Sequence, residues 1–423
     1  MPNHRDMLQM PALNLRHIVQ FIAAILLALS ITLTAHASFI DDYMIDPDDG
    51  MFDTSQYLSE VPMGFLPVPI IITEPAVGNG LGVVGVFFHE SDAQKKNNKA
   101  NKVSKRGRAV IPENISIAAF AGTENGSKAA ALGHIGFWFE DNLRYQGFLL
   151  LPDINMDFYS IGGIDLPRPF ELNITGPVVV QNMKARINNS EWFVGFRQIY
   201  SEITSSVSGS NPIGGGYNLE STTTTSGLGL ILEYDSRNNP MNPEKGYNYQ
   251  LRTTRFDEAI GSDINYDLHY FKGLNYWELS KSFNFALRLQ FDEVTSEKYQ
   301  LLPPYVAPSI ELRGIPAMRY QGNQVSVGEV ELTWKLNQRW RFNTFTGTGR
   351  AGKDFDDLSN AENINSYGVG FRYLIAKRYG FTMGTDVAKG PEETVFYIQA
   401  GSSWLHLVKK ILYFRKGFSF YER

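Results

Sequence analysis

The sequence predicts an all-β fold, a transmembrane antiparallel β-barrel of about sixteen strands, and three observations carry that prediction. First, residues 64–404 run in a two-residue rhythm, with one apolar and one polar face in segment after segment. In Val325-Ser326-Val327-Gly328-Glu329-Val330-Glu331-Leu332-Thr333-Trp334-Lys335-Leu336, Val330, Leu332, Trp334 and Leu336 share one face, while Glu329, Glu331, Thr333 and Lys335 share the other. A helix would mix those faces; a strand separates them. Second, beyond the N-terminal leader, Pro, Gly and charged residues interrupt every apolar run before it reaches helix-spanning length. A membrane form must therefore cross as strands. Third, 13% aromatic residues, 38 glycines and only 20% charged residues suit closely spaced strands with aromatic girdles, although a soluble β-sandwich can share that composition.

The N-terminus places Arg5 and Arg16 before an apolar run at 18–33 and then Ala35-His36-Ala37. That order reads as a secretory leader over 1–37, removed after Sec export so that the mature chain starts near Ser38. An uncleaved anchor helix is the alternative, because the run approaches spanning length. With no cysteine, neither a lipid-modified cysteine nor a disulfide can form, and an oxidising compartment is permitted. Residues 38–63 form an acidic, turn-rich periplasmic lead-in carrying Asp41, Asp42, Asp46, Asp48, Asp49, Asp53 and Glu60. Asp46-Pro47-Asp48-Asp49-Gly50 has some features of a calcium loop, but it lacks flanking helices and a bidentate Glu at the twelfth position. A solvated acidic loop is expected instead.

Strand-like segments follow at 67–73, 80–90, 113–123, 128–140, 143–153, 170–189, 191–207, 225–238, 245–258, 263–279, 282–296, 324–338, 340–351, 366–378, 379–389 and 393–404. Their number is even, as a single-chain bacterial barrel needs. Phe283, Phe285, Leu287, Leu289 and Phe291 alternate with Asn284, Ala286, Arg288 and Gln290, and Phe396, Ile398, Ala400 and Trp404 alternate with Tyr397, Gln399 and Ser403. Connections are tight at Glu124-Asn125-Gly126 and near Ser280-Lys281, but long and polar at 91–108, 208–224 and 353–364. Short periplasmic turns and long outer loops would give that asymmetry. The stretch 297–323 is different, with Leu301, Leu302, Tyr305, Val306, Ile310, Leu312, Ile315 and Met318. A loop that apolar is expected to fold back into shelter.

That loop contains Glu311-Leu312-Arg313-Gly314-Ile315-Pro316-Ala317-Met318-Arg319-Tyr320-Gln321-Gly322. Here the sequence resembles the bacterial surface antigen family, the BamA/TamA-like outer-membrane assembly barrels, whose sixth extracellular loop carries an Arg-Gly-aromatic motif and tucks into the lumen. Arg313 and Gly314 match, and Ile315 replaces the aromatic. Tyr234-Asp235-Ser236-Arg237-Asn238-Asn239-Pro240-Met241-Asn242-Pro243-Glu244-Lys245-Gly246-Tyr247 is similar to the family's strand-turn-strand signature. Within it, Asn239, Pro240 and Pro243 would set the turn, and Gly246 would let the chain re-enter a strand. Gly368-Val369-Gly370-Phe371-Arg372, followed by Asp386 and Ala388, is similar to the late-barrel strands.

The resemblance implies that Arg313 pairs with acidic residues on the inner wall. Glu331 matches one partner and lies on the polar face. In Phe345-Thr346-Gly347-Thr348-Gly349, Gly347 stands where the family has its second acidic partner. An Arg fork can hold a carboxylate bidentately and so fix a loop without a covalent tie. The alternative reading is that Arg313 caps an exposed turn. The family's assembly members also carry receiving domains of roughly eighty residues that bind clients by strand addition. The short lead-in has no room for one.

Pro67 and Pro69, in the first strand segment, have no N–H to donate. If that segment closes against 393–404, ending at Trp404, the seam is short of hydrogen bonds and could part sideways, as the lateral gate of the resembling family implies. The alternative is that both prolines precede the strand proper. Gly80-Leu81-Gly82-Val83-Val84-Gly85 matches a dinucleotide fingerprint, but a Lys/Asn-rich loop stands where its helix should begin. His89, His134, His269 and His406 have no metal-ligand spacing. A barrel hydrolase would need a His beside a Ser or carboxylate on one wall, with His134 and His269 the candidates, and no Gly-x-Ser-x-Gly elbow accompanies them. After Trp404, residues 405–423 form a basic extension, either an amphipathic segment on the inner leaflet or a true last strand.

The expectation is thus a non-enzymatic bacterial outer-membrane barrel, without cofactor or metal. It would assist protein insertion or translocation through a weak seam. A passive or plugged pore is the alternative, and a barrel lipid hydrolase the third reading. Expected partners are outer-membrane lipid, lipopolysaccharide and unfolded outer-membrane or secreted proteins. A net charge of -5 without a basic stripe argues against nucleic acid. Oligomeric state is left open.

Overall fold

Alternating side chains force each segment to choose a wet and a greasy side, and the computed structural model arranges seventeen strands in one antiparallel meander. It describes residues 37–60, 65–74, 78–89, 112–161, 164–211, 215–296, 302, 306–315 and 319–404. The leader and the basic extension lie outside these. The strands are β1 Phe65–Glu74, β2 Gly78–His89, β3 Asn114–Thr123, β4 Lys128–Trp138, β5 Leu143–Ile161 and β6 Ile164–Thr175. Next come β7 Val178–Arg186, β8 Trp192–Asn211, β9 Gly215–Asp235, β10 Gly246–Phe256, β11 Tyr266–Glu278 and β12 Phe283–Thr295. The last are β13 Gln324–Lys335, β14 Trp340–Gly352, β15 Ile364–Ala376, β16 Phe381–Lys389 and β17 Thr394–Ala400. Short helices α1 Ala37–Tyr43 and α2 Ser55–Glu60 precede β1, and α3 Phe355–Asn360 sits between β14 and β15.

β6 and β7 act as a single strand. The register against β5 runs from Leu150↔Val178 to Asp153↔Thr175 without a shift, and both halves pair with β8. Only Gly176-Pro177 interrupts them, where proline cannot donate. Large apolar side chains such as Leu81, Phe120, Leu132, Leu230, Leu251, Leu332 and Val369 point outward and remain exposed, which suits lipid. A ring of outward aromatics girdles the rim that carries the N-terminus, with Trp192 on Tyr234, Tyr247 on Trp277 and Trp340 on Tyr373.

The inner face is less uniformly polar than alternation predicts. On β9–β16 it carries Glu233, Asp235, Arg288, Glu329, Arg372 and Asp386, all buried. On β1–β7 it carries Val68, Val84, Val86, Ile115, Ile117, Ile154 and Val178, also buried. These pack with Leu58, Met241, Tyr379 and Phe381 from segments folded over the N-terminal rim, and Phe88 stacks on Tyr379 at 5.0 Å. Turn and terminal residues therefore supply the apolar partners that water could not.

The connections correct the sequence reading in two places. Residues 208–224 are mostly strand: Ser/Thr-rich β8 and β9 continue their ladder out to Asn211↔Gly215, as β-branched threonines favour. The polar stretch within 91–108 lies outside the described residues, but His89 and Asn114 place its ends at the rim of the N-terminus with the tight Ser280-Lys281 turn, whereas the tight Glu124-Asn125-Gly126 turn is at the opposite rim. The opposite rim carries the connection between β12 and β13, sixth in chain order at that end.

The acidic lead-in is not a solvated loop. Asp46, Asp49 and Asp53 converge on Arg339 in the β13–β14 turn, at 2.5 Å to Asp46 and 2.7 Å to Asp49, with Leu374 O also accepting at 3.1 Å. All five guanidinium N–H bonds are used. Lys377 adds contacts to Asp46 at 2.7 Å and Asp48 at 3.1 Å. Thr54 N donates to Ile375 O, and Leu58 of α2 enters the core beside β2.

Candidate functional site

The loop between β12 and β13 turns inward, and Arg313 at its tip is 1% exposed. Nε donates to Glu329 at 2.7 Å, while Nη1 donates to Glu331 at 2.8 Å and to Asp386 at 3.1 Å. The guanidinium also lies 3.4 Å over the Phe345 ring. Asp386 is held in turn by Arg372 through two bonds of 2.7 and 2.8 Å, and Arg288 approaches Glu329 at 3.5 Å. Three arginines and three carboxylates thus balance in a space largely closed to water, with only Glu331 partly exposed. In such a setting an isolated charge would be costly, and pairing offsets that cost, although Arg313 Nη2 and Arg288 Nε make no hydrogen bond among the described residues. The exposed-cap alternative for Arg313 does not describe this geometry.

The glycine at 347 leaves no gap. Leu312 of the loop occupies its neighbourhood, 2.6 Å from where a Cβ would stand, and Glu329 and Asp386 supply the acidic partners that a residue at 347 does not. Glu329 is readable in advance, since it shares the polar face with Glu331 two residues on. Gly314 adopts φ +87, where a side chain would be strained, and its N–H donates to the Tyr397 hydroxyl of β17 at 3.0 Å. Ile310, Leu312 and Ile315 pack on Val325 and Val327. Farther along the loop, Arg319 and Tyr320 both bond Glu392 in the β16–β17 turn, at 2.8 and 2.7 Å. The loop is therefore fastened to β13, β16 and β17.

The turn signature closes the N-terminal rim. Asp235 is fully buried and accepts from Arg237 at 2.8 Å and Arg144 at 2.6 Å, and Glu233 pairs with Lys184 beside it. Asn239 Oδ1 accepts the Met241 N–H at 2.8 Å, and Pro240 and Pro243 are buried in the turn. Gly246 takes φ +101, and a Cβ there would collide with Ser236 O. Met241 O accepts from Ser402 N at 2.9 Å, which ties this turn to the chain just after β17.

Of the proposed seam residues, Pro67 and Pro69 lie within β1, opposite Gly85 and Val83 of β2, and do not precede it. Because the β1–β2 ladder is unbroken, its bonded positions must be those between the prolines, leaving both donorless nitrogens on the edge toward β17. β17 lies beside β1, yet among the described residues no register joins them. Trp404 is elsewhere. β17 ends at Ala400, Gly401 turns with φ +79, and Trp404 enters the lumen at 3% exposed. It packs on Leu274 and Tyr276 and donates to Glu329 at 2.6 Å, joining the same charged network.

Among the described residues the remaining motifs build neither a dinucleotide site nor a metal site. Gly80, Gly82 and Gly85 sit inside β2, paired with β1 on one side and β3 on the other, and so do not form a strand-to-helix turn. No group of three metal-ligating side chains forms among the described residues. Among the described residues His269 meets the Thr253 hydroxyl at 3.1 Å, beside a cavity of about 260 Å³ below the loop.

No family model and no curated protein matches the sequence. Solved structures resemble its fold. CdiB from Escherichia coli superposes with TM-score 0.52 at 10% identity, over 79% of this chain and 62% of that one. BamA from Haemophilus ducreyi lacking POTRA domains 1–3 gives 0.46 at 12% identity over 79% and 68%, and CdiB from Acinetobacter baumannii 0.49 at 8% over 80% and 59%. The chain thus spans about three fifths of the length of either CdiB. With strand meander, inward sixth loop and lipid-suited outer face already in place, the fold is a β-barrel like that of CdiB.

Proposed function

We propose that this chain is a bacterial outer-membrane barrel that handles unfolded outer-membrane or secreted polypeptides, or lipid and lipopolysaccharide, by parting at the β1–β17 seam. The N-terminal rim would face the periplasm, and no covalent reaction is required. One observation carries the reading: β17 is braced from within instead of by β1. Tyr397 holds Gly314, Glu392 holds Arg319 and Tyr320, and Ser402 holds Met241, while β1 presents a proline edge. Opening such a seam breaks few backbone bonds, so its cost is low compared with parting any full ladder.

The absence of native cysteine makes the test clean. One cysteine in Phe65–Glu74 and one in Thr394–Ala400 are oxidised across the seam, and folding of an unfolded outer-membrane protein into liposomes is followed. Acceleration by the reduced protein and its loss on oxidation support the proposal. Equal rates in both states would leave a plugged, structural barrel as the better account.

A further inference from the structure

We propose that Ser116, His134 and Asn114 form an acyl-ester hydrolase site on the lipid-facing wall, near the N-terminal rim, with glycerolipid acyl esters as its substrate class. This stands apart from the seam. Outward orientation follows from parity: Phe120 is 59% and Leu132 58% exposed, and Ser116 and Asn114 share the face of Phe120 as His134 and Trp138 share that of Leu132. The β3–β4 register sets Ser116 directly opposite His134. Ser116 Oγ lies 3.1 Å from His134 Nδ1, and His134 Nε2 lies 3.2 Å from Asn114 Oδ1.

Trp138 determines the protonation pattern. Its indole N–H, which can only donate, reaches Asn114 Oδ1 at 2.8 Å, so that atom is the amide oxygen. His134 must then donate from Nε2, which leaves Nδ1 with its lone pair toward the Ser116 hydroxyl. A base in the correct tautomer, held by a third group, is what activates a serine. His89 Nε2, 3.1 Å from Ser116 Oγ, offers an N–H that can move to the oxygen of an attacked carbonyl.

Depth supports the substrate class. His89 ends β2, Asn114 begins β3 and Trp138 ends β4, so the group lies where strands meet the membrane boundary, with Trp138 stacked on Tyr145 at 5.7 Å. Ester carbonyls of glycerolipids lie between the acyl chains and the headgroups, at that level. In the reaction, Ser116 Oγ bonds the ester carbonyl carbon as its proton passes to His134 Nδ1. The carbon–oxygen bond to the glycerol breaks, and His134 returns the proton to the leaving alkoxide. Water then attacks the acyl-serine, giving its proton to His134, and the carboxylic acid departs as Ser116 regains a proton.

The test uses the full-length protein in detergent. A fluorophosphonate probe is applied, the adduct is located by mass spectrometry, and fatty-acid release is measured from phosphatidylcholine in mixed micelles. The adduct is expected on Ser116. Ser116→Ala should abolish both signals, and His134→Ala should slow release at least about 100-fold, with heat-modifiable migration retained. Release by folded wild type no faster than by Ser116→Ala, or an adduct elsewhere, overturns the proposal. Adduct mapping in the wild type decides the matter even if a variant misfolds.

Discussion

At the residue scale, Arg313 is where a single atom group does the most. Removing it leaves Glu329, Glu331 and Asp386 facing each other with only Arg288 and Arg372 to compensate. Breaking a buried pair this way costs about 3–5 kcal/mol, against about 1 kcal/mol for an exposed one. Arg313→Ala is therefore expected to free the loop, so that protease cuts within residues 302–323 while the barrel keeps its heat-modifiable migration. Unchanged protection of the loop would count against the cage. Much of this was legible from sequence: Arg313 and Gly314 through a motif, Glu329 and Glu331 through parity, and Asp386 through its late-strand pattern. The meeting of these groups was not legible, because Asp386 reaches Arg313 from three strands away. The Ser116–His134 pair was likewise hidden, since cross-strand register is not written in a spacing.

At the scale of elements, the N-terminal segment acts as a clamp on the barrel rim. Arg339 joins aspartates about 290 positions away, a pairing no local pattern could announce. Trp404 misled for a related reason. Its even position continued the apolar face of β17 on paper, but Gly401 turns the chain inward before it is reached. The clamp carries a pH dependence. Arg339 holds the Asp49 carboxyl below its ordinary value, and for Asp46 the Lys377 and Asp48 hydrogen bonds outweigh the upward push of burial. Depressed carboxyls stabilise above their unfolded value near 3.8 and lose that contribution as pH falls through the folded one. Lys377, raised by its Asp46 bond, contributes below 10.5 and loses its share above the folded value. Pepsin should thus spare residues 38–60 at about pH 5 and cut them at about pH 2. Arg339→Ala should allow cutting at both, and equal cutting of wild type at both would contradict the clamp.

At the scale of the whole molecule, the alternating pattern sufficed to predict class and strand number because lipid outside and fixed register inside leave a barrel little freedom. It could not show how full the inside is. β1–β7 bear an apolar inner patch packed by Leu58, Met241, Tyr379 and Phe381, Arg144 and Lys184 of β5 and β7 meet the charged wall of β9–β16 that Arg313 bridges, and Trp404 enters from the end of β17. Alternation tells which face a side chain is on, but not whether water or another segment meets it there. We infer that a lumen filled in this way is closed to ions. Single-channel recording of the purified protein in planar bilayers tests that claim most directly. The account predicts no steady conductance for wild type and opening events once Arg313→Ala releases the loop, whereas a wide, ohmic wild-type channel would contradict it.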